Sequence, residues 1–143
     1  MSKANIQHAP YDFRRKGYID GMQYAIVQHM EMGHLCGYIR LPRSHPLYAI
    51  VTAKRWNKRA FKKYTRYPQG YDHRAVYSLD VHGGITFAGR RPFARGIWIG
   101  FDCAHLDDHV PGYPGIFPGT FKDANYVHAQ LRHLASQLSE VTQ

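Results

Sequence analysis

The chain has 143 residues, 44% hydrophobic and 20% charged, which suits one globular domain able to bury a core without staples and excludes a disordered or fibrous chain. Its formal charge of +9 favours anionic partners such as nucleic acid, a nucleotide or acidic lipid, with general solubility as the competing explanation.

Residues 1–20 are polar and read as an irregular segment, with Pro10 and Gly17 breaking any pattern; residues 21–143 read as the domain. MQYAIVQHM (22–30) has the composition of a strand. After a turn at EMG, HLCGYIRL (34–41) reads as its hairpin partner. Pro42 and Pro46 break the chain after this pair. In TAKRWNKRAFKKYTRY (52–67), Lys54, Lys58, Lys62 and Arg66 recur every four residues, opposite an apolar line of Ala53, Trp56, Ala60 and Tyr64. That spacing predicts a helix over 53–66 with a broad basic face, ended by Pro68 and Gly70. AVYSLDVH (75–82) alternates like a strand; Gly83 and Gly84 interrupt it and ITFAG continues it. RRPFARG reads as a basic turn and IWIGFDC (97–103) as the most apolar strand. DDHVPGYPGIFPG is a loop. In KDANYVHAQLRHLASQLSEV, Val127, Leu131, Leu134 and Leu138 share one helical stripe, with Asp123 as N-cap or first-turn acid. The expected fold is α+β: one domain, mainly an antiparallel sheet, with the C-terminal helix and the basic central helix packed on it.

Two cysteines, Cys36 and Cys103, form no CxxC pair, which excludes a zinc ribbon and leaves a disulfide framework unsupported. Free thiols suit a reducing cytoplasm. The first residues contain no apolar stretch of the secretory kind, and no apolar run approaches the ~20 residues of a membrane span. A soluble cytoplasmic protein with no membrane partner is expected.

Chemistry concentrates where strands run out. In DVHGGITF, the two glycines weaken a strand and suit a bulge or the close approach of a ligand phosphate. His82, Thr86 and the backbone of Gly83 and Gly84 are the groups there that can hold an oxyanion; a bulge beside a satisfied histidine is the plainer alternative. In FDCAHLDDH, Asp102 stands three residues before His105, and His105 three before Asp108. A turn after Cys103 lets Asp102 orient the His105 imidazole through Nδ1–H, leaving the other nitrogen for proton transfer. Asp102, His105 and Asp108 are equally candidate ligands for a divalent metal, although no HExxH or CxxC accompanies them. A hairpin joining the two stretches brings His82 within reach of Asp102 or His105. Two histidines at one cleft can serve as general acid and base around a phosphodiester without a cofactor. Arg90, Arg91 and Arg95 in the intervening turn are candidate anion ligands. Around the second strand, Tyr38 and Arg40 share a face suited to stacking on a base and holding a phosphate, with His45 nearby. An ordinary edge strand is the alternative. The basic helix over 53–66 is the candidate nucleic-acid surface.

The stretches GHLCGYIRLPRSHPLY, DVHGGITFAG and IWIGFDCAHLDD, with the helix in YVHAQLRHLASQL, together resemble a group of small proteins encoded by bacteriophages and prophages. The resemblance covers roughly residues 33–48 and 79–141. It implies a phage origin, a host-cell cytoplasm and a counter-defence role. Some phage proteins cleave or sequester cyclic nucleotides made by host immunity, and one such class cleaves with paired His and Thr residues. HGGIT is similar to that pairing by analogy, with a different spacing.

The leading expectation is a phosphodiesterase-type hydrolase acting on a nucleotide signal. Its acid and base would be His82 and His105, with Asp102 orienting His105. Thr86, Gly83 and Gly84 would contact the phosphate. The alternatives are a non-catalytic protein that binds and sequesters a nucleotide through Tyr38, Arg40 and the arginine turn, and a basic nucleic-acid-binding or inhibitor protein. A homodimer is compatible with each, since a neighbour often completes a small pocket.

Overall fold

A computed structural model describes residues 11–52 and 74–141. Five strands form one antiparallel sheet: β1 (Tyr11–Ile19), β2 (Met22–His29), β3 (Leu35–Arg40), β4 (Phe87–Arg90) and β5 (Ile97–Asp102), in the order β1-β2-β3-β5-β4. Helix α1 (Pro46–Thr52), the single turn α2 (Arg74–Tyr77) and the long α3 (Ala124–Glu140) complete it. The fold is α+β, as expected. The predicted basic helix over 53–66 lies outside the described residues.

The strands read from apolar runs are the buried ones. β2, β3 and β5 are the inner strands, and each is covered on both faces. On one face, Ile26, Ile39, Ile99 and Phe101 pack with Val127, Leu131, Leu134, Ala135 and Leu138 of α3, forming the main core. The helix therefore buries the stripe that its 3.6-residue period lays out. Asp123 caps it, its side chain accepting from the Tyr126 amide at 2.9 Å. On the other face, Tyr38 and Trp98 meet Phe93, which the β4–β5 turn folds over them. Cys36 and Cys103 are both free and buried; desolvation lifts the Cys36 thiol to about 12, so it stays protonated at neutral pH.

Three local expectations are corrected. Residues 11–19 are not irregular but form β1, an edge strand exposed along most of its length. Such a strand carries charge instead of alternation, here Arg14, Arg15 and Lys16, which also discourages edge-to-edge pairing. Asp20 and Gly21, with φ of 52° and 79°, supply the left-handed turn that joins β1 to β2. Pro46 does not break the chain but opens α1: it stands at the first helical position, where a missing N–H costs nothing. Residues 75–82 are not a strand but the turn α2 and a connector. The connector is held by helix side chains: Gln137 bonds both the amide and the carbonyl of Asp80, and Gln130 accepts from the His82 amide. No helix among the described residues is long and apolar enough to cross a membrane.

α3 crosses β3 at Gly37. A Cβ there would stand 2.8 Å from both Phe101 and Val127, so the close approach of helix and sheet depends on the missing side chain. Gly37→Ala is expected to cost about 1–3 kcal/mol of stability through overpacking. Gly115→Ala, in open space, is expected to cost well under that. Urea unfolding of the two variants checks the contrast.

Candidate functional site

The two strand-end stretches do meet. The His82 and His105 rings lie with centroids 5.7 Å apart, edge to face. His82 sits in a turn over 81–84, closed by the Gly84 amide on the Val81 carbonyl at 2.8 Å, with Gly83 at φ +69° in the third place. That backbone favours glycine. Gly83 serves a second purpose: a Cβ there would stand 2.1 Å from His105 Nε2, so the His105 ring lies directly on it. The space that was expected to admit a phosphate beside Gly83 is thus filled by an imidazole. Beyond Gly84 no atom lies within 4 Å of where its Cβ would be. Thr86 is exposed and joins the sheet only through its amide, which donates to the Gly100 carbonyl; no side-chain contact ties its hydroxyl to the histidines.

The centre of the cluster is Asp108, whose side chain has no exposed surface. Its Oδ2 faces His82 Nε2 at 2.9 Å and accepts from the His105 amide at 3.0 Å. Its Oδ1 pairs with Lys122 Nζ at 3.0 Å. Burial pushes this carboxyl up, but the contacts from His82, the His105 amide and Lys122 outweigh it and hold the group below its ordinary value of 3.8. A carboxylate only accepts, so His82 Nε2 carries a proton, and in the neutral ring Nδ1 accepts from the Tyr126 hydroxyl at 2.8 Å. Both His82 nitrogens are therefore engaged within the protein, so the ring faces Tyr126 and Asp108 rather than open space.

Asp102 does reach His105, through Nε2 rather than the expected Nδ1, at 3.2 Å and without hydrogen-bond alignment. Its Oδ1 also accepts from the Ala104 amide and so caps the end of β5. Among the described residues, no group of three or more His, Cys, Asp or Glu side chains stands close enough together to hold a metal ion, the candidates Asp102, His105 and Asp108 included.

The arginines gather elsewhere. Arg40, Arg43, Arg90, Arg91 and Arg95 line one cleft of about 520 Å³, together with Tyr18, Tyr48 and Gln23. Arg40 ends β3 and Arg90 ends β4, while Arg91 and Arg95 flank the β4–β5 turn. Arg40 lies over Gly96, where a Cβ would come within 2.4 Å of its Nε, and Arg91 adopts φ +50° so that its amide reaches the Gly96 carbonyl. The register pairs Arg40 with Trp98 and Cys36 with Asp102. Four residues of strand, about 13 Å, separate the cleft from the histidine cluster along β3. The arginine turn therefore stands apart from His82 and His105, contrary to the arrangement the sequence suggested, and lines a separate cleft.

Two other expected ligand residues have structural tasks. Tyr38 is buried against Phe87 and Phe93, so its ring cannot stack on a base. His45 Nδ1 accepts from the Leu47 amide at the start of α1, and its Nε2 meets the Leu138 carbonyl near the end of α3. The sequence reading missed Lys122, Tyr126, Arg43, Tyr18 and Tyr48 as site residues, while Arg95 was expected with Arg90 and Arg91. Lys122 and Tyr126 are spaced four apart around the N-cap Asp123, a signal that becomes informative only once the helix is seen to lie over His82.

Comparisons with protein-family models, curated proteins and solved structures find no match to this chain. The residues themselves carry the functional reading.

Removing the Asp108 charge leaves Lys122 and His82 without their shared anion. Asp108→Asn is expected to destabilise the fold by about 3 kcal/mol, measured by denaturant unfolding at pH 7. The native carboxyl titrates below its unfolded value, so its contribution is fully present above 3.8 and is lost as the pH falls through the native pKa. The gap between wild type and variant should therefore narrow below about pH 4.

Proposed function

We propose that the protein binds a phosphate-bearing anion of the nucleotide class in the arginine cleft and holds it unaltered. The observation that carries this reading is that five arginines line one cleft with no carboxylate among its described lining residues. Guanidinium forks match phosphate oxygens two at a time, and several around one cleft suit a ligand with more than one phosphate. The volume of about 520 Å³ is that of a small-molecule site. Tyr18, 74% exposed, and Tyr48 offer flat surfaces for a base, the part that the sequence reading gave to Tyr38.

Sequestration is favoured over hydrolysis because no described lining residue is a histidine, a carboxylate or a lysine. Among the described lining residues the Tyr18 and Tyr48 hydroxyls are the titratable groups outside the arginines, and no histidine, carboxylate or lysine stands there to act as their base. The resemblance of residues 33–48 and 79–141 to proteins of phages and prophages makes a host signalling nucleotide, such as a cyclic oligonucleotide, the candidate ligand, and counter-defence by sequestration the candidate role.

Calorimetry on the chain carrying Tyr126→Phe, so that no chemistry at the separate His82 cluster intervenes, with a panel of cyclic dinucleotides, cyclic trinucleotides and linear nucleotides tests this. At least one member should bind, and denaturing the complex should return it intact. Arg90→Ala and Arg95→Ala should each weaken binding by about ten- to a hundredfold, as expected for a lost charge-assisted hydrogen bond. Affinities that these substitutions leave unchanged, or a ligand recovered cleaved, contradict the reading.

A further inference from the structure

The cluster at the other end of β3 and β5 has the chemistry that the cleft lacks. Asp108, His82 and Tyr126 stand in a line: carboxylate to Nε2 at 2.9 Å, Nδ1 to hydroxyl at 2.8 Å. A hydroxyl within hydrogen-bond reach of a base, itself oriented by a third group, is the arrangement that activates a nucleophile. The parts are held firmly. Asp108 is fully buried and fixed by three contacts, the His82 amide is bonded to Gln130, and Tyr126 sits in the first turn of α3, whose cap its own amide completes. The line opens outward, since Gly83 is exposed, Gly84 faces open space and Tyr126 is only half-buried.

We propose that this line is a catalytic centre in which Tyr126 is the nucleophile of a phosphodiester-cleaving reaction, with His82 as its base. The inference does not rest on the reading of the arginine cleft. Desolvation raises the Tyr126 hydroxyl above its ordinary value, so it keeps its proton at neutral pH and attacks only if a base removes it. His82 Nδ1 is that base; Asp108 positions the ring and stabilises the imidazolium. The substrate class is set by charge. Lys122 Nζ lies 5.8 Å from the Tyr126 ring centre, and the carboxylates nearby are already partnered, Asp102 by His105, Asp108 by His82 and Lys122, and Asp123 by the Tyr126 amide. An electrophile that carries negative charge, a phosphoryl centre, fits such surroundings better than a neutral ester.

The step balances with water as the only other reagent. Tyr126 Oη forms a bond to phosphorus as its proton passes to His82 Nδ1. The ester bond to the leaving oxygen breaks, and the proton on His82 passes to that oxygen. Water then attacks the phosphotyrosyl ester, giving its proton to His82, which returns it to Tyr126 Oη as the phosphorus–oxygen bond breaks. A diester and water become a monoester and an alcohol.

The test uses the full chain with bis(p-nitrophenyl) phosphate. Release of p-nitrophenolate is expected, and peptide mapping of the acid-quenched wild-type protein should find one p-nitrophenyl phosphoryl group on Tyr126. Tyr126→Phe, which removes only the hydroxyl, should lower release by about a hundredfold or more. A hydroxyl serving structure alone would change only the melting temperature. The proposal is overturned if Tyr126→Phe turns over like wild type, if the adduct maps to another residue, or if wild type neither releases product nor carries an adduct. Turnover of p-nitrophenyl acetate without turnover of the diester would also overturn it, by moving the substrate to acyl esters. Because the mapping is done on the wild-type chain, it decides the matter even if the variant does not fold.

Discussion

A carboxylate sealed from water has to be compensated where it stands, and the part of this protein beyond β5 is organised around that requirement. Asp108 meets it with His82 from the connector before β4, the His105 amide from its own turn and Lys122 from the approach to α3. Three pieces of chain that are far apart in sequence are thereby pinned to one atom group. The surrounding loop closes on the same point: the Thr120 amide bonds the Asp107 carbonyl, the Gly119 amide bonds the Asp108 carbonyl, and Lys122 also donates to the Asp107 and Thr120 carbonyls. Gly119 has no alternative, since a Cβ would stand 2.0 Å from the Asp107 carbonyl oxygen. A segment with so much proline and glycine makes little regular structure, so its order comes from polar contacts.

The sheet then keeps two kinds of chemistry apart. At one end of β3 and β5, titratable groups pair with one another: His82 with Asp108, and His105 with Asp102. At the other end, the cleft presents guanidinium groups that hold their charge at every physiological pH. The two proposed roles, proton transfer and anion capture, need opposite things from a side chain, a pKa near working pH in one case and a permanent charge in the other. Separation by some four residues of strand lets each end be built without disturbing its counterpart.

Much of the architecture was legible because burial leaves a periodic trace. β2, β3, β5 and α3 stand where apolar runs or a 3.6-residue stripe placed them. β1 left no such trace, because an exposed edge strand buries little and carries Arg14, Arg15 and Lys16; the Asp20 and Gly21 turn is its one local sign. Residues 75–82 alternate for a different reason. Val76, Leu79 and Val81 are buried from a helical turn and a connector, whose backbone is bonded by Gln130 and Gln137 rather than by a neighbouring strand. The meeting of His82 and His105 was legible from strand ends. What each ring touches was not: Asp108 lies 26 residues from His82 and Tyr126 lies 44, and no local pattern encodes such pairs. Tyr38 shows the same limit. Alternation gives the face a residue occupies, not that Phe93 folds over to cover it.

The central claim is that Asp108 is a buried anion held charged by its partners. Carbon-detected NMR titration of the Asp108 carboxyl in the wild-type chain tests it most directly. The account predicts a midpoint below the ordinary 3.8, with the His82 ring resonances shifting as the carboxylate is protonated. A midpoint above that value, or an Asp108 titration to which His82 does not respond, would contradict it.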